Sequence, residues 1–169
     1  MLVIEDVTNY VEAARKIEES EKELQKINEH FDIATSAAEV GTWSLDIASS
    51  TLDWSQLHKK MWGYDGHRTD LRYEDWHSII LPGDKELAFE EVAKALKNKS
   101  TYEATYRIKR AGDGAIRWMQ STGKYFYNEV GDPVTLTGVS IDITEEKEAR
   151  IQLEYRQALL EAHNEASLD

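Results

Sequence analysis

In residues 138–145 apolar and polar positions alternate, with Val139, Ile141 and Ile143 on one side and Asp142 and Thr144 between them. That is the period of a strand with one face on a core. Thr144 stands where a helix cap belongs, and Glu145 and Glu146 follow as carboxylates suited to the positive end of a helix. The pattern predicts a strand that runs directly into a charged helix, an element able to carry a push from a sheet.

Over residues 10–40 the period changes. No Pro or Gly interrupts this stretch; Tyr10, Ile17, Leu24 and Phe31 recur every seven residues, with Ala13, Ser20, Ile27 and Ala34 three places after each. One helix is predicted, about 45 Å long at 1.5 Å per residue, too long to lie wholly on a small domain. Either its first half forms a parallel two-stranded coiled coil through Ile17, Leu24, Ile27 and Phe31, or it is one amphipathic helix on its own domain. The coil is the preferred reading, because each buried Leu or Ile contributes about 1.5–3 kcal/mol only where a partner covers it. Residues 31–40 are expected to dock on the domain.

The period-2 pattern returns at residues 42–47 and 51–54, flanking Ala48, Ser49 and Ser50, and predicts a hairpin. Ser55 can cap a helix over 56–62 that stops at Gly63, and a short helix follows over 73–80. Asp84 can cap another over 85–97, with Leu87, Val92, Ala95 and Leu96 as its apolar face. Strands over 101–110, 115–127 and 133–143 are separated by Gly112-Asp113-Gly114 and by the turn residues 128–132. Two strands, then helices, then three strands predict an α+β fold: a five-stranded antiparallel sheet with short helices on one face, flanked by long N- and C-terminal coiled-coil helices.

Composition narrows the function classes. At 169 residues, with 41% hydrophobic and 31% charged positions, the chain suits one soluble domain plus flanking elements. No apolar run is long enough for a membrane span and no leader pattern opens the chain, so a cytoplasmic protein without direct membrane contact is expected. A net charge of −12 opposes binding to phosphate backbones. The absence of cysteine removes disulfides and thiol chemistry.

Together these motifs resemble a PAS domain with its C-terminal PAC motif, of the bacterial sensor subgroup. The resemblance rests on Gly41 to Asp46, Trp54-Ser55, Trp62-Gly63-Tyr64-Asp65, Trp76 and Leu81-Pro82-Gly83-Asp84. It continues through Tyr102 to Ile108, Gly114 to Trp118, Gly131 to Val134 and Gly138 to Glu145, and covers residues 36–146. Leu81 departs from the subgroup, which usually has His there. The resemblance implies a non-catalytic sensory domain in which Asp142, Ile143 and Thr144 relay a signal from the sheet to the outgoing helix.

An internal echo suggests the wider layout. Residues 3–8 repeat 139–144 at an offset of 136, which also carries Ala13 onto Ala149, Ile17 onto Leu153 and Leu24 onto Leu160. The expected organisation is therefore the tail of a preceding PAS domain (1–9), a coiled-coil linker (10–35), a PAS/PAC sensor (36–144) and an outgoing signalling helix (145–169). That last helix keeps Leu153 and Leu160 one heptad apart but is crowded by Arg150, Arg156 and Gln157, which predicts a weaker coil. Residues 163–169 resemble the lead-in to a GGDEF diguanylate cyclase domain; histidine kinases use similar helices and are the alternative output. Implied partners are a second copy, an adjacent PAS domain and an effector domain in the same chain.

The chemistry-bearing residues contain no zinc-protease, phosphate-loop or serine-elbow motif. His30, His58, His67, His77 and His163 share no i, i+4 spacing and read as surface or core rather than metal ligands. The resemblance raises two cofactors: a photoreactive flavin, which would need a cysteine, and haem, whose proximal histidine would sit on the helix over 85–97, which has none. His77 and His58 remain outlying candidates. Aromatics near the implied pocket are Trp43, Trp54, Trp62, Tyr64, Trp76, Phe89, Tyr106 and Trp118, read either as core or as a ligand box. Two functions stay open: a relay and dimerisation module with no ligand, or a receptor for a flavin or small metabolite.

Overall fold

A computed structural model describes the backbone of residues 2–166 and the side chains of 6–163. The chain divides into two units, residues 1–39 and 40–169.

The first unit is a single helix, α1 (Leu2–Ala37). Arg15 pairs with Glu19, and Lys22 with Glu18, one turn apart along its surface. Its heptad seam is open: Tyr10, Ile17, Leu24, Ile27 and Phe31 are all more than half exposed. The helix begins earlier than the sequence pattern suggests. Residues 3–8 echo the last strand of the sheet, yet they are helical. A strand must find a neighbouring strand for its N–H and C=O groups, whereas a helix satisfies them within itself.

The second unit holds five strands and four helices: β1 (Gly41–Asp46), β2 (Leu52–Trp54), α2 (Gln56–Trp62), α3 (Tyr73–Ile79), α4 (Pro82–Asn98), β3 (Tyr102–Lys109), β4 (Ile116–Tyr127), β5 (Pro133–Asp142) and α5 (Thr144–Ala166). The sheet is antiparallel, in the order β2-β1-β5-β4-β3, so the first and last thirds of the domain meet at its centre. Alternation is clearest on β3, where Tyr102, Ala104, Tyr106 and Ile108 are buried.

Turn chemistry fixes the connections. The Asn128 carboxamide oxygen accepts from the N–H groups of Val130 and Asp132, and Gly131 takes a left-handed φ of 93°. Ser55 caps α2 as its sequence suggests, accepting from His58 N–H at 3.2 Å and also from Thr42 N–H at 3.0 Å, which ties the helix to β1.

Asp84 behaves differently. Leu81 occupies the N-cap position of α4, and the Asp84 carboxylate instead accepts from the backbone N–H, Nε and Nη2 of Arg107 on β3. This fork-to-fork pair pins α4 across the sheet and holds the Asp84 carboxyl below its usual range. The apolar face of α4 is also narrower than its sequence suggests. Ala88 and Ala95 are buried and Val92 packs on the core, while Leu87 and Leu96 are exposed.

Candidate functional site: an aromatic cavity and the strand-to-helix junction

One row across the sheet explains how a cavity forms beneath α2–α4. Trp54, Trp43, Gly138, Gly123 and Tyr102 stand opposite one another on successive strands. The Trp43 indole occupies the space that the two glycines leave: a Cβ on Gly138 would lie 2.6 Å from its ring, and one on Gly123 2.7 Å. Trp43 thereby reaches Tyr102, ring centroids 6.1 Å apart.

From the helical side, His58 and Trp62 lie one turn apart on α2 and stack, centroids 5.2 Å apart and planes 21° apart. Trp54 packs against both at 4.5 and 5.2 Å. Gly41 makes room for the imidazole, since a Cβ there would lie 2.9 Å from its Cδ2. These rings enclose a cavity of about 40 Å³. Its walls are Trp43 and Leu45 of β1, Leu52 and Trp54 of β2, and His58 and Trp62 of α2. Tyr73 and Trp76 of α3, Val92 of α4, Tyr102 and Tyr106 of β3, and Leu136 and Ser140 of β5 complete them.

Polar groups in this apolar wall form a chain. Trp76 Nε1 donates to the Tyr106 hydroxyl at 3.0 Å, which lies 2.9 Å from Ser121 Oγ. Ser121 Oγ lies 2.7 Å from Ser140 Oγ, which lies 3.2 Å from His58 Nε2. Ser121 and Ser140 are cross-strand partners on the inward face of β4 and β5. Trp43 Nε1, Trp62 Nε1 and His58 Nδ1 are buried without partners. Burial depresses the His58 pKa to about 3, so the ring is neutral at ordinary pH. Burial likewise pushes the Tyr73 hydroxyl up to about 12.

Of the eight aromatics that the sequence nominates, Trp43, Trp54, Trp62, Trp76 and Tyr106 line the cavity; the other three lie elsewhere. The Tyr64 hydroxyl donates to the Asp75 carbonyl, and its ring lies under the Arg68 guanidinium. Phe89 packs against Tyr73, Trp76 and His77. Trp118 stands opposite Arg107 on the sheet, with the Arg107 and Lys147 cations 5.2 and 5.3 Å from its ring centre. Residue type alone missed Ser140, Tyr73 and Tyr102. The signal that could have found Tyr102 is its period-2 spacing from Tyr106; Ser140 emerges only from strand register.

Two residues beyond Ser140 β5 ends, and the chain passes into α5. Ile143 donates its N–H to the Trp118 carbonyl at 2.9 Å, and its own carbonyl accepts the first helical bond, from Lys147 N–H at 3.0 Å. Thr144 therefore does not occupy the cap position. Its buried Oγ1 accepts from the Trp118 N–H of β4 at 2.9 Å and donates to Asp142 Oδ1, which also accepts from the Thr144 N–H at 3.0 Å. The other Asp142 oxygen lies 3.9 Å from Arg117 Nη1. Asp142, Ile143 and Thr144 thus fasten the first turn of α5 to two strands at once.

The cavity does not suit the cofactors that the resemblance raises. About 40 Å³ holds roughly three water-sized groups, far less than a flavin ring system. The chain has no cysteine, and α4 carries no histidine. Among the described residues no group of three His, Cys, Asp or Glu side chains is placed to hold a metal ion, and no helix is long and apolar enough to cross a membrane.

The family described as "PAS fold" matches residues 51–140. The sensor protein FixL of Bradyrhizobium diazoefficiens is 26% identical over 132 residues, 78% of this chain and 26% of FixL. The probable diguanylate cyclase DgcE of Escherichia coli is 22% identical over 138 residues, 82% of this chain and 12% of DgcE. The chain thus spans about a quarter of the first relative and an eighth of the second. The crystal structure of a sensory box histidine kinase/response regulator from Burkholderia thailandensis superposes with a TM-score of 0.67 at 26% identity, covering 78% of this chain and 98% of that one. The family match spans more than half of the sequence and its boundaries fall within the sheet and helices described above: the chain belongs to the PAS fold family, a sensory fold of signal-transduction proteins rather than a catalytic one.

Proposed function

We propose that this chain is a sensory and dimerisation module of a bacterial signalling protein, passing a change in its sheet through α5 to an output domain in the same polypeptide. The observation that carries this reading is Thr144: one buried hydroxyl joins β4, β5 and the start of α5, so a shift of the two central strands must move the helix or break the bond. The open seam of α1 supports pairing of two copies through Ile17, Leu24, Ile27 and Phe31, since only a partner makes those side chains stabilising.

The proposed output is a diguanylate cyclase. The similarity to DgcE supports it, and so does the lead-in-like sequence of residues 163–169, whose last three residues lie outside the described part of the structure. Control would then lie in how two effector domains face each other across the dimer. Assaying the full-length protein with GTP and with ATP tests this. Cyclic di-GMP formation is expected; histidine autophosphorylation without a cyclic product would overturn it. In that full-length protein, Thr144→Ala should change output more than it changes melting temperature.

A second reading, a small-molecule receptor domain of a sensor histidine kinase, is favoured by the buried nitrogens without partners around the cavity. Under that reading occupancy of the cavity is the signal, and the guest is a small metabolite rather than a flavin.

A further inference from the structure

We propose that α4 is coupled to α5 by a second route, on the face of the sheet away from the cavity, in which Asp84, Arg107, Trp118 and Lys147 act as one clasp. Its part in signalling rests on the relay reading; the coupling itself is a property of this chain. Among the described side chains of α5 beyond Thr144, residues 145–163, Lys147 alone is not exposed. Its ammonium lies 5.3 Å from the centre of the Trp118 ring. Trp118 holds the start of α5 in three ways: its N–H donates to Thr144 Oγ1, its carbonyl accepts from Ile143 N–H, and its ring faces the Lys147 cation. Met119 beside it is buried in the core, so strand alternation turns Trp118 to the opposite face.

Arg107, the cross-strand partner of Trp118 on β3, brings a second cation to 5.2 Å from the same ring. The start of α4 holds that cation in place. Asp84 accepts from Arg107 Nε at 2.9 Å, from Nη2 at 2.7 Å and from the backbone N–H at 2.7 Å, while Leu81 N–H donates to the Arg107 carbonyl at 2.9 Å. A planar fork gripped at two nitrogens keeps its orientation to the carboxylate, so a displacement of Asp84 carries the guanidinium with it. Two like charges drawn to one aromatic ring also repel each other, and the ring and Lys147 must readjust when Arg107 moves. α4 is placed to be displaced, since Val92 lines the cavity and Phe89 packs on Tyr73 and Trp76, which line it too. The route crosses β3 and β4 and needs neither β5 nor the hydroxyls of the cavity wall.

The test uses the ¹⁵N-labelled 169-residue chain. Lys147→Met keeps the apolar stem and removes the charge. It should move the Arg107 Nε–H and Trp118 indole N–H signals; Lys147→Arg should return both toward their parent positions, and Arg150→Met, further along the helix, should leave them unmoved. An Arg107 signal indifferent to Lys147→Met would overturn the proposal. Urea titrations supply the energetic measure. Residues without shared partners change the unfolding constant independently, so the effects of Asp84→Asn and Lys147→Met would simply multiply; the clasp predicts that the double variant departs from that product by more than about threefold. The departure should vanish in a Trp118→Leu background. A smaller departure, or one that persists without the ring, would overturn the route. Should Asp84→Asn leave too little folded protein to titrate, Arg107→Lys, which keeps the cation but not the fork, takes its place. Either failure leaves the relay through Thr144 standing, since Thr144→Ala in the full-length protein tests that separately.

Discussion

Neighbouring residues at the C-terminal end of β5 treat polar groups in opposite ways. Ser140 lies in an apolar wall, one link in a chain of hydroxyls closed at both ends by aromatic rings, and other residues of that wall carry buried nitrogens without partners. Two and four residues on, Asp142 and Thr144 are bonded to each other and to β4: one carboxylate oxygen and one hydroxyl serve three bonds. An unsatisfied, apolar site responds to what enters it, whereas a saturated one holds position. On the proposed relay, the same strand joins the region that is perturbed to the region that follows.

The largest effect should come from removing the floor of the cavity. Trp62 is fully buried, and Trp62→Ala should cost about 3–5 kcal/mol in a urea titration, enough to unfold a marginal domain. A cost below about 1 kcal/mol would mean that the cavity wall is loosely packed and the contrast with the junction is weaker than described.

Acid comes next. His58 binds a proton near pH 6.5 when unfolded but only near pH 3 when folded, so the unfolded state binds more protons throughout that window. Its contribution to stability is present above pH 6.5 and is lost as pH falls toward 3. Between pH 7 and 5 the loss should be about 2 kcal/mol, and His58→Gln should remove this part of the pH dependence. Parallel acid profiles for the two proteins would place the imidazole in contact with water.

At the junction, Thr144→Ala should cost about 1–2 kcal/mol, because it strands the Trp118 N–H, and Thr144→Ser should restore it. If Ala and Ser behave alike, the hydroxyl is not the fastening. The smallest effect on the domain itself should come from α1: Leu24→Glu with Ile27→Glu lies on exposed positions and should change its melting by less than about 0.5 kcal/mol. Sedimentation should nevertheless show loss of the dimer, and an unchanged dimer would move the interface off this helix.

Most of the fold was legible in the chain because period 2, helical spacing and turn residues agree with one another over residues 41–144. The two failed caps share one cause. Asp84 and Thr144 are both short polar residues placed just before helices, where capping is the local expectation; both instead bond across to a strand, through Arg107 and through the Trp118 N–H. Local sequence shows an acceptor but not the distant donor that wins it. The cavity was legible as a set of tryptophans and obscure as a geometry. That Trp118 faces two cations, while Ser140 and His58 face the cavity, follows from strand register and from the glycines that let Trp43 lie across the sheet.

The claim that the cavity and α5 communicate along β5 is tested most directly by amide hydrogen exchange at Trp118, Thr144 and Lys147 in the parent chain and in Ser140→Ala. The substitution removes only the inward-facing hydroxyl, two residues before Asp142. A change in protection at those three amides that exceeds any change on α4 is the predicted result; protection altered around the cavity but identical at the junction would contradict it.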